Sequence, residues 1–205
     1  MPNFEGAATA AERLADHPAF ASAATLKCNP DAPQRPVRRR ALENGTSVYV
    51  AVPRLTEAEC FLELDPDRID DFDHATTIAG ADEYGTPLRP DAMPEIDCIV
   101  AGSVAVASSG RRIGKGEGYS DLEFALLRSF DRVGNETPVV TTVHERQLQE
   151  TLPPAEPHDV PVDVIVTPER IIETEAGSKP DGIDWAALDP EKRAEIPLLD
   201  ELAPE

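Results

Sequence analysis

The residues best suited to chemistry lie in one segment, from Gly110 to Asp121. Four glycines fall within nine of its positions: Gly110, Gly114, Gly116 and Gly118. Because glycine has no Cβ and tolerates positive φ, the backbone amides of such a loop can approach a ligand closely. Amides arranged beside a helix N-terminus bind anions. Arg111, Arg112 and Lys115 add positive charge, so the segment predicts a phosphate-binding loop.

The loop sequence leaves two alternatives open. It is not a Walker motif, because no Gly-Lys-Ser/Thr closes it, and the spacing Gly114-x-Gly116-x-Gly118 is not the dinucleotide fingerprint. A plain turn between a strand and a helix is therefore an alternative to a phosphate site. Asp121 is either a Mg²⁺ ligand, since Mg²⁺ takes one or two carboxylates with substrate phosphates, or the N-cap of the helix that follows.

Apolar runs and helical patterns alternate around this loop. Buried strands are predicted at 47–52, 98–107, 139–143 and 162–166, and helices at 7–16 and 122–128. Strands separated by a helix indicate an α/β fold with three layers: a mainly parallel central sheet with flanking helices. Such sheets bind ligands beyond the carboxyl ends of their strands.

The remaining segments are interpreted from their composition. Residues 29–36 are predicted to be a Pro-rich connector, and residues 63–75 an acidic one. The predicted α/β domain covers residues 1–175. Residues 176–205 are predicted to form a C-terminal tail docked on the same domain.

The charge balance excludes several classes of partner. The chain has 19 Lys and Arg against 39 Asp and Glu, a formal net charge of −20. Nucleic acids and anionic membrane surfaces both require a basic face, so neither is an expected partner. Of the cations, 15 are Arg and only four are Lys.

The spread of acidic residues suggests a protein from a salt-in halophile. Molar salt shortens the screening length to about 3 Å, which makes such self-repulsion tolerable. An ordinary acidic enzyme is the alternative. We expect circular dichroism across a potassium chloride series to show folding only at high salt; complete folding in dilute buffer would contradict the hypothesis.

Cysteine usage and hydropathy predict the compartment. Cys28, Cys60 and Cys98 are widely spaced and odd in number, so they predict neither a disulfide framework nor a zinc site. No signal peptide is recognised, and no apolar stretch reaches the roughly 18 residues of a membrane span. The expected location is the cytoplasm.

A resemblance to a known family rests on residues 97–121 and on four shorter motifs. These motifs are Pro2-Asn3-Phe4-x-Gly6, Val52-Pro53-Arg54-Leu55, Thr137-Pro138-Val139-Val140-Thr141-x-Val143-His144 and His158-Asp159-x-x-Val162-Asp163-x-Ile165-x-Thr167-Pro168. Together they resemble the 5-formyltetrahydrofolate cyclo-ligase family, and most closely its branch of methenyltetrahydrofolate synthetase domain-containing proteins. The resemblance covers nearly the whole chain and implies the same α/β fold.

The resemblance also implies a reaction. Members convert 5-formyltetrahydrofolate to 5,10-methenyltetrahydrofolate in one-carbon metabolism, with release of ADP and phosphate. It implies ATP and Mg²⁺ as cofactors, folate and ATP as small-molecule partners, and a monomer or small homo-oligomer. By family position, Arg112 and Lys115 are the implied catalytic residues and contact phosphates. The implied cofactor-binding residues are Gly110, Arg112, Gly114, Lys115, Gly116, Gly118, Tyr119 and Asp121, and Asp121 is the implied metal ligand.

The sequence departs from the family pattern in three ways. Glu117, Ser120 and Leu122 replace the second glycine, the second tyrosine and the arginine of Gly-Gly-Gly-Tyr-Tyr-Asp-Arg. Family members begin with a basic helix that reaches ATP, and Met1 starts after its place. The folate-side glutamate has no assigned match among Glu57, Glu59 and Glu63, which are also read as surface acids. The substitutions and the missing helix favour the alternative of a non-catalytic nucleotide- or folate-binding regulatory protein, whereas Arg112, Lys115 and Asp121 favour the enzyme.

Two histidines and an arginine triplet are further candidates. His144 ends a predicted strand at its carboxyl side, where ligands gather. His158-Asp159 is either an acid–base pair or a turn before the next strand. Arg38-Arg39-Arg40 either binds an anionic folate tail or pairs with surface acids.

Overall fold

The fold is built on one large sheet. A computed structural model describes residues 3–204, so Pro2 of the first family motif lies outside the described residues, as do Met1 and Glu205. The strands are β1 (Thr25–Cys28), β2 (Ser47–Ala51), β3 (Phe61–Leu64), β4 (Thr86–Leu88), β5 (Cys98–Val100), β6 (Ala105–Val106), β7 (Arg112–Ile113), β8 (Val139–Thr142), β9 (Val164–Val166) and β10 (Ile171–Glu173).

Within residues 3–204, eight of these strands form the central sheet, in the order β10-β9-β8-β5-β1-β2-β3-β4. The five middle strands from β9 to β2 pair in parallel, and β10, β3 and β4 pair antiparallel at the edges. Leu26 of β1 pairs with Val48 on one side and Cys98 on the other. The order reverses between β1 and β5, and a crevice opens beyond the carboxyl ends of strands at such a point.

Helices cover both faces of the sheet. They are α1 (Ala7–Ala15), α2 (Pro18–Ala21), α3 (Arg35–Glu43), α4 (Phe72–Ala75), α5 (Ile78–Tyr84), α6 (Tyr119–Ser129), α7 (Pro190–Glu195) and α8 (Pro197–Leu202). One core cluster joins Leu14 of α1 and Leu42 of α3 to the sheet, and a second joins Phe124 of α6 and Leu198 of α8 to its other face. The predicted three-layer α/β fold with a mainly parallel sheet is confirmed.

Two details of the sequence prediction were wrong. The apolar run 98–107 is not one strand, because the chain leaves the sheet after Ala101 donates to the Val140 carbonyl at 2.9 Å. The rest of the run forms β6, which pairs antiparallel with β7 of the glycine loop. Residues 63–75 are not only a connector, since β3 ends at Leu64 and Asp71 caps α4 by accepting a hydrogen bond from the His74 amide.

The three cysteines are free and buried. Burial raises the pKa of each thiol, that of Cys60 to about 12, so all three stay protonated near neutral pH. Cys98 packs as a small apolar side chain, as its sequence context predicts. Across the described residues, no helix is both long enough and apolar enough to cross a membrane.

Candidate functional site

A cavity of about 470 Å³ lies beyond the carboxyl ends of β1 and β5, where the strand order reverses. Its lining comes from segment 29–32 after β1, segment 51–54 at the end of β2, Gly102 after β5, and the glycine loop with the start of α6. Parallel strands bring their carboxyl ends to one edge, which explains why segments distant in sequence meet here. We call this space the large cavity.

The glycine loop connects β7 to α6. Gly116 and Gly118 have φ of +91° and +69°. A residue with a side chain would be strained in either conformation. Gly118 is the N-cap of α6, and its left-handed backbone turns the chain so that the first turn of the helix lines the large cavity. Free amides at a helix N-terminus favour an anion, as the sequence predicts for this loop.

Not all the predicted loop residues meet in the large cavity. Arg112, Gly114, Lys115, Gly118, Tyr119 and Asp121 line it. Gly116 lines a smaller adjoining cavity of about 190 Å³. Gly110 lines neither, and a Cβ there would lie 2.8 Å from Ala176 Cα, so its role in the structure is close packing. Arg111 lines only the smaller cavity and pairs with Asp159 at 2.8 Å.

Arg112 is almost fully buried, and each of its three guanidinium nitrogens donates one hydrogen bond. It donates to the carbonyls of Val160 at 3.1 Å and Gly102 at 3.3 Å, and to Asp121 Oδ1 at 2.5 Å. Asp121 Oδ1 also accepts a hydrogen bond from the Val160 amide at 2.9 Å. Asp121 stands in the first turn of α6 and does not cap it, so the N-cap alternative was wrong. Its second carboxylate oxygen has no partner among the described residues.

Lys115 lies opposite the segment that follows β1. Its Nζ is 2.7 Å from Asp31 Oδ1, and its side chain is half exposed. The hydrogen bond to Asp31 raises the pKa of Lys115 above its ordinary value. Burial raises the pKa of Asp31, but hydrogen bonding and the charge of Lys115 outweigh it, and the pKa lies below its ordinary value. Both groups are therefore charged near neutral pH.

Asp31 is a carboxylate that the sequence analysis missed. None of the candidates Glu57, Glu59 and Glu63 lines the large cavity, and Glu63 accepts a hydrogen bond from the Tyr49 hydroxyl at 2.6 Å. The first strand within residues 3–204 is β1, which was not predicted, and Asp31 lies three residues after its end. A search for the carboxylate after the true first strand would have found it.

A buried ion pair lies beside the large cavity, which Glu123 lines. Lys27 of β1 donates to Glu123 of α6, and both side chains are almost fully buried. Asn29 donates to Glu123 Oε2 at 3.4 Å and accepts from the Gly102 amide and the Ser120 hydroxyl, each at 3.2 Å. These contacts tie β1, β5 and α6 together, and no local pattern predicts them.

The three residues that replace members of the family motif have different surroundings. Glu117 lines the large cavity with an exposed side chain, and its carbonyl accepts a hydrogen bond from Lys192 of α7. Ser120 contributes its hydroxyl to the Asn29 network. Leu122 belongs to the core and does not line the large cavity. Lys192 Nζ also lies 5.1 Å from the centre of the Tyr119 ring.

The histidines and the arginine triplet lie around the site. His144 caps a turn by accepting from the Arg146 amide at 3.1 Å and lines neither cavity. His158 lines the smaller cavity beside Asp121. Arg38 is buried and donates to the carbonyls of Asn29 and Thr76, so it shapes the segment after β1. The other two arginines of the triplet pair with the surface carboxylates Glu12, Glu43 and Asp73.

Comparisons with known proteins agree with one another. A protein-family model described as the 5-formyltetrahydrofolate cyclo-ligase family matches residues 2–168. A methenyltetrahydrofolate synthase domain-containing protein of Bos taurus is 42% identical, over 97% of this chain and 53% of its own length. A 5-formyltetrahydrofolate cyclo-ligase of Mycolicibacterium smegmatis is 31% identical, over 63% of each chain. The chain thus spans about half the length of the bovine relative.

A solved structure has the same fold. The NMR structure of Aquifex aeolicus 5,10-methenyltetrahydrofolate synthetase superposes with a TM-score of 0.53 and 20% sequence identity. The match covers 84% of this chain and 82% of that one. It supports the α/β architecture described above.

Proposed function

Because the chain belongs to the 5-formyltetrahydrofolate cyclo-ligase family, we propose that it converts 5-formyltetrahydrofolate to 5,10-methenyltetrahydrofolate with ATP. The observation that carries the proposal is the large cavity at the switch point of the sheet, lined by Lys115, the glycine loop and the first turn of α6. Cations and free amides at one wall fit a polyphosphate, which the net charge of −20 would otherwise repel.

The proposed reaction has two steps. The formyl oxygen attacks the γ-phosphorus of ATP, and the bond from that phosphorus to the bridging oxygen breaks to leave ADP. The neighbouring folate nitrogen then attacks the activated formyl carbon, the carbon–oxygen bond breaks, and phosphate leaves together with the proton of that nitrogen as the ring closes. Such chemistry needs positioned positive charge and hydrogen-bond donors more than covalent help.

The residues have distinct proposed roles. Lys115 exchanges its ion pair with Asp31 for one with a phosphate of ATP. The backbone amides at the start of α6 donate hydrogen bonds to phosphate oxygens. Each nitrogen of Arg112 already donates a hydrogen bond within the protein, one of them to Asp121, so we assign it the positioning of Asp121. Gly116 and Gly118 permit the loop conformation. Tyr119 presents its ring to the bound substrates.

Mg²⁺ fits the donor set through Asp121. No cluster of three or more His, Cys, Asp or Glu side chains suited to a metal occurs within residues 3–204, so a site built by protein alone is not available there. Mg²⁺ commonly takes one carboxylate and completes its shell with phosphate oxygens and water. Asp121 would hold it through the oxygen that Arg112 does not engage, and the ion would neutralise charge on the transferring phosphoryl group.

One assay tests the activity. We expect the absorbance of the methenyl product to rise when the protein meets 5-formyltetrahydrofolate, ATP and Mg²⁺ in molar potassium chloride. Omitting ATP or Mg²⁺ should each abolish the signal. No product with folded protein, as judged by circular dichroism, would contradict the proposal.

A second candidate function is a non-catalytic protein that binds the nucleotide or the folate. It is favoured by Glu117, which adds an exposed carboxylate to the wall proposed for phosphates. Calorimetric binding of either ligand without turnover would support this alternative. Three free buried thiols suit a reducing compartment, so we propose the cytoplasm for either function.

A further inference from the structure

The turn after β2 has an unusual backbone. Arg54 and Leu55 follow one another with φ of 58° and 56°, in the left-handed region that glycine normally occupies. Asp131 is the third non-glycine residue with positive φ in the described part of the chain. The left-handed conformation costs about 1–2 kcal/mol per L-residue, so two in succession need a compensating reason.

The compensation at Leu55 is visible in the core. Its side chain is fully buried in the cluster that contains Phe61, and its amide donates to the Val52 carbonyl at 3.2 Å. Arg54 has no such anchor, because its side chain is exposed and lines the large cavity. A glycine at position 54 would remove the strain without any loss of packing. An exposed arginine in this conformation therefore points to a role for its guanidinium.

Charge within the large cavity distinguishes Arg54 from its neighbours. The cavity is lined by three cations: Arg54, Arg112 and Lys115. Arg112 is engaged by Asp121 and two carbonyls, and Lys115 pairs with Asp31. Within residues 3–204, no carboxylate lies within ion-pair distance of Arg54, which leaves its guanidinium available to a ligand.

The surroundings of Arg54 suit a ligand with an anionic end. Arg54 and Tyr119 line the same cavity. Burial and the charge of Glu195 raise the pKa of Tyr119, and the charge of Arg54 opposes them. Val52, Pro53 and the exposed side chain of Ile78 form the apolar part of the same cavity wall. A guanidinium presents paired N–H groups that match a carboxylate or a phosphate in two parallel hydrogen bonds.

We propose that Arg54 binds an oxyanion of the substrate in the large cavity, a folate carboxylate or a nucleotide phosphate, through two parallel hydrogen bonds. The inference rests on the proposed function for the identity of the two ligands. It assigns the strained turn a purpose: the left-handed backbone holds Arg54 toward the cavity while Leu55 is fixed in the core.

Separate calorimetric titrations with 5-formyltetrahydrofolate and with Mg-ATP, in the same potassium chloride concentration, test the inference. We expect Arg54→Gly to lower the affinity for one of the two ligands about 10- to 100-fold, the range expected for a charge-assisted hydrogen bond. The ligand whose affinity falls is the one whose oxyanion Arg54 binds. Arg54→Lys keeps the charge but not the paired N–H groups, so it should restore the affinity only in part.

The matched control is Asp131→Gly, which also replaces a left-handed non-glycine residue but lies outside the large cavity. Neither glycine variant should lower the melting temperature, and Asp131→Gly should leave both affinities unchanged. If the parent protein binds both ligands and Arg54→Gly leaves both affinities unchanged, the inference is overturned but the proposed function is not. Failure of the parent protein to bind either ligand would overturn the proposed function as well.

Discussion

Replacing Lys27 by methionine is expected to lower the free energy of unfolding by about 3–5 kcal/mol. The Lys27 side chain is 1% exposed and that of Glu123 is 7% exposed, so the substitution leaves a buried carboxylate without its counter-ion. Methionine is also unbranched and of similar length, which limits the contribution of an empty cavity. Urea denaturation in molar potassium chloride measures the change.

The double variant Lys27→Met/Glu123→Met is the matched control. Replacing both members of a buried ion pair by apolar side chains is often neutral or stabilising, so the double variant should regain most of the lost stability. A double-mutant cycle then gives the coupling between the two positions. A Lys27→Met variant as stable as the parent protein would contradict the burial of a charged pair beside the large cavity.

Replacing Lys115 by methionine is expected to lower kcat/KM about 10²- to 10³-fold, the usual cost of removing one donor that acts on developing charge. Its stability should change little, because the Lys115 side chain is 49% exposed and exposed ion pairs contribute about 0–1 kcal/mol. The raised pKa of Lys115 keeps it protonated across the neutral range, so its contribution should not vary there with pH. Steady-state assays of methenyl formation measure the loss.

Glu117→Gln is the control for this second variant. It removes the opposite charge from the same glycine loop, and Glu117 also lines the large cavity. We expect kcat/KM to rise or the KM for ATP to fall, because repulsion between a carboxylate and phosphate is removed. A similar loss of activity in both variants would indicate damage to the loop rather than loss of a specific positive charge.

The sequence predicted those parts of the fold whose signals are local. Val139 to Thr142 form a short β-branched run, and the Ala-rich stretch before His17-Pro18 forms α1. The strand β1 was missed because Lys27 interrupts its four residues with a charge, and the partner that permits burial lies 96 positions away. Long-range compensation of this kind leaves no trace in a local pattern.

The candidate site shows the same division. Glycine spacing and charge located the loop, because conformational freedom and net charge are properties of the residues themselves. They did not separate Lys115, whose side chain is half exposed, from Arg112, which is buried and donates one hydrogen bond from each nitrogen within the protein. Nor did they predict Asp31, Asn29 or Glu123, since the topology of the sheet alone brings these side chains together.

The C-terminal segment contacts the glycine loop, so the conformation of the loop depends on residues beyond the matched family model. The matched family model ends at residue 168, whereas Ile196, Leu198 and Leu199 are buried in the same core as α6, and Lys192 donates to the Glu117 carbonyl. The alignment with the bovine relative covers 97% of the chain and so includes most of this segment. Substitutions near residue 192 can therefore change the turnover of a protein whose glycine loop is unchanged. A comparison of the loop motif alone would not detect this difference in turnover.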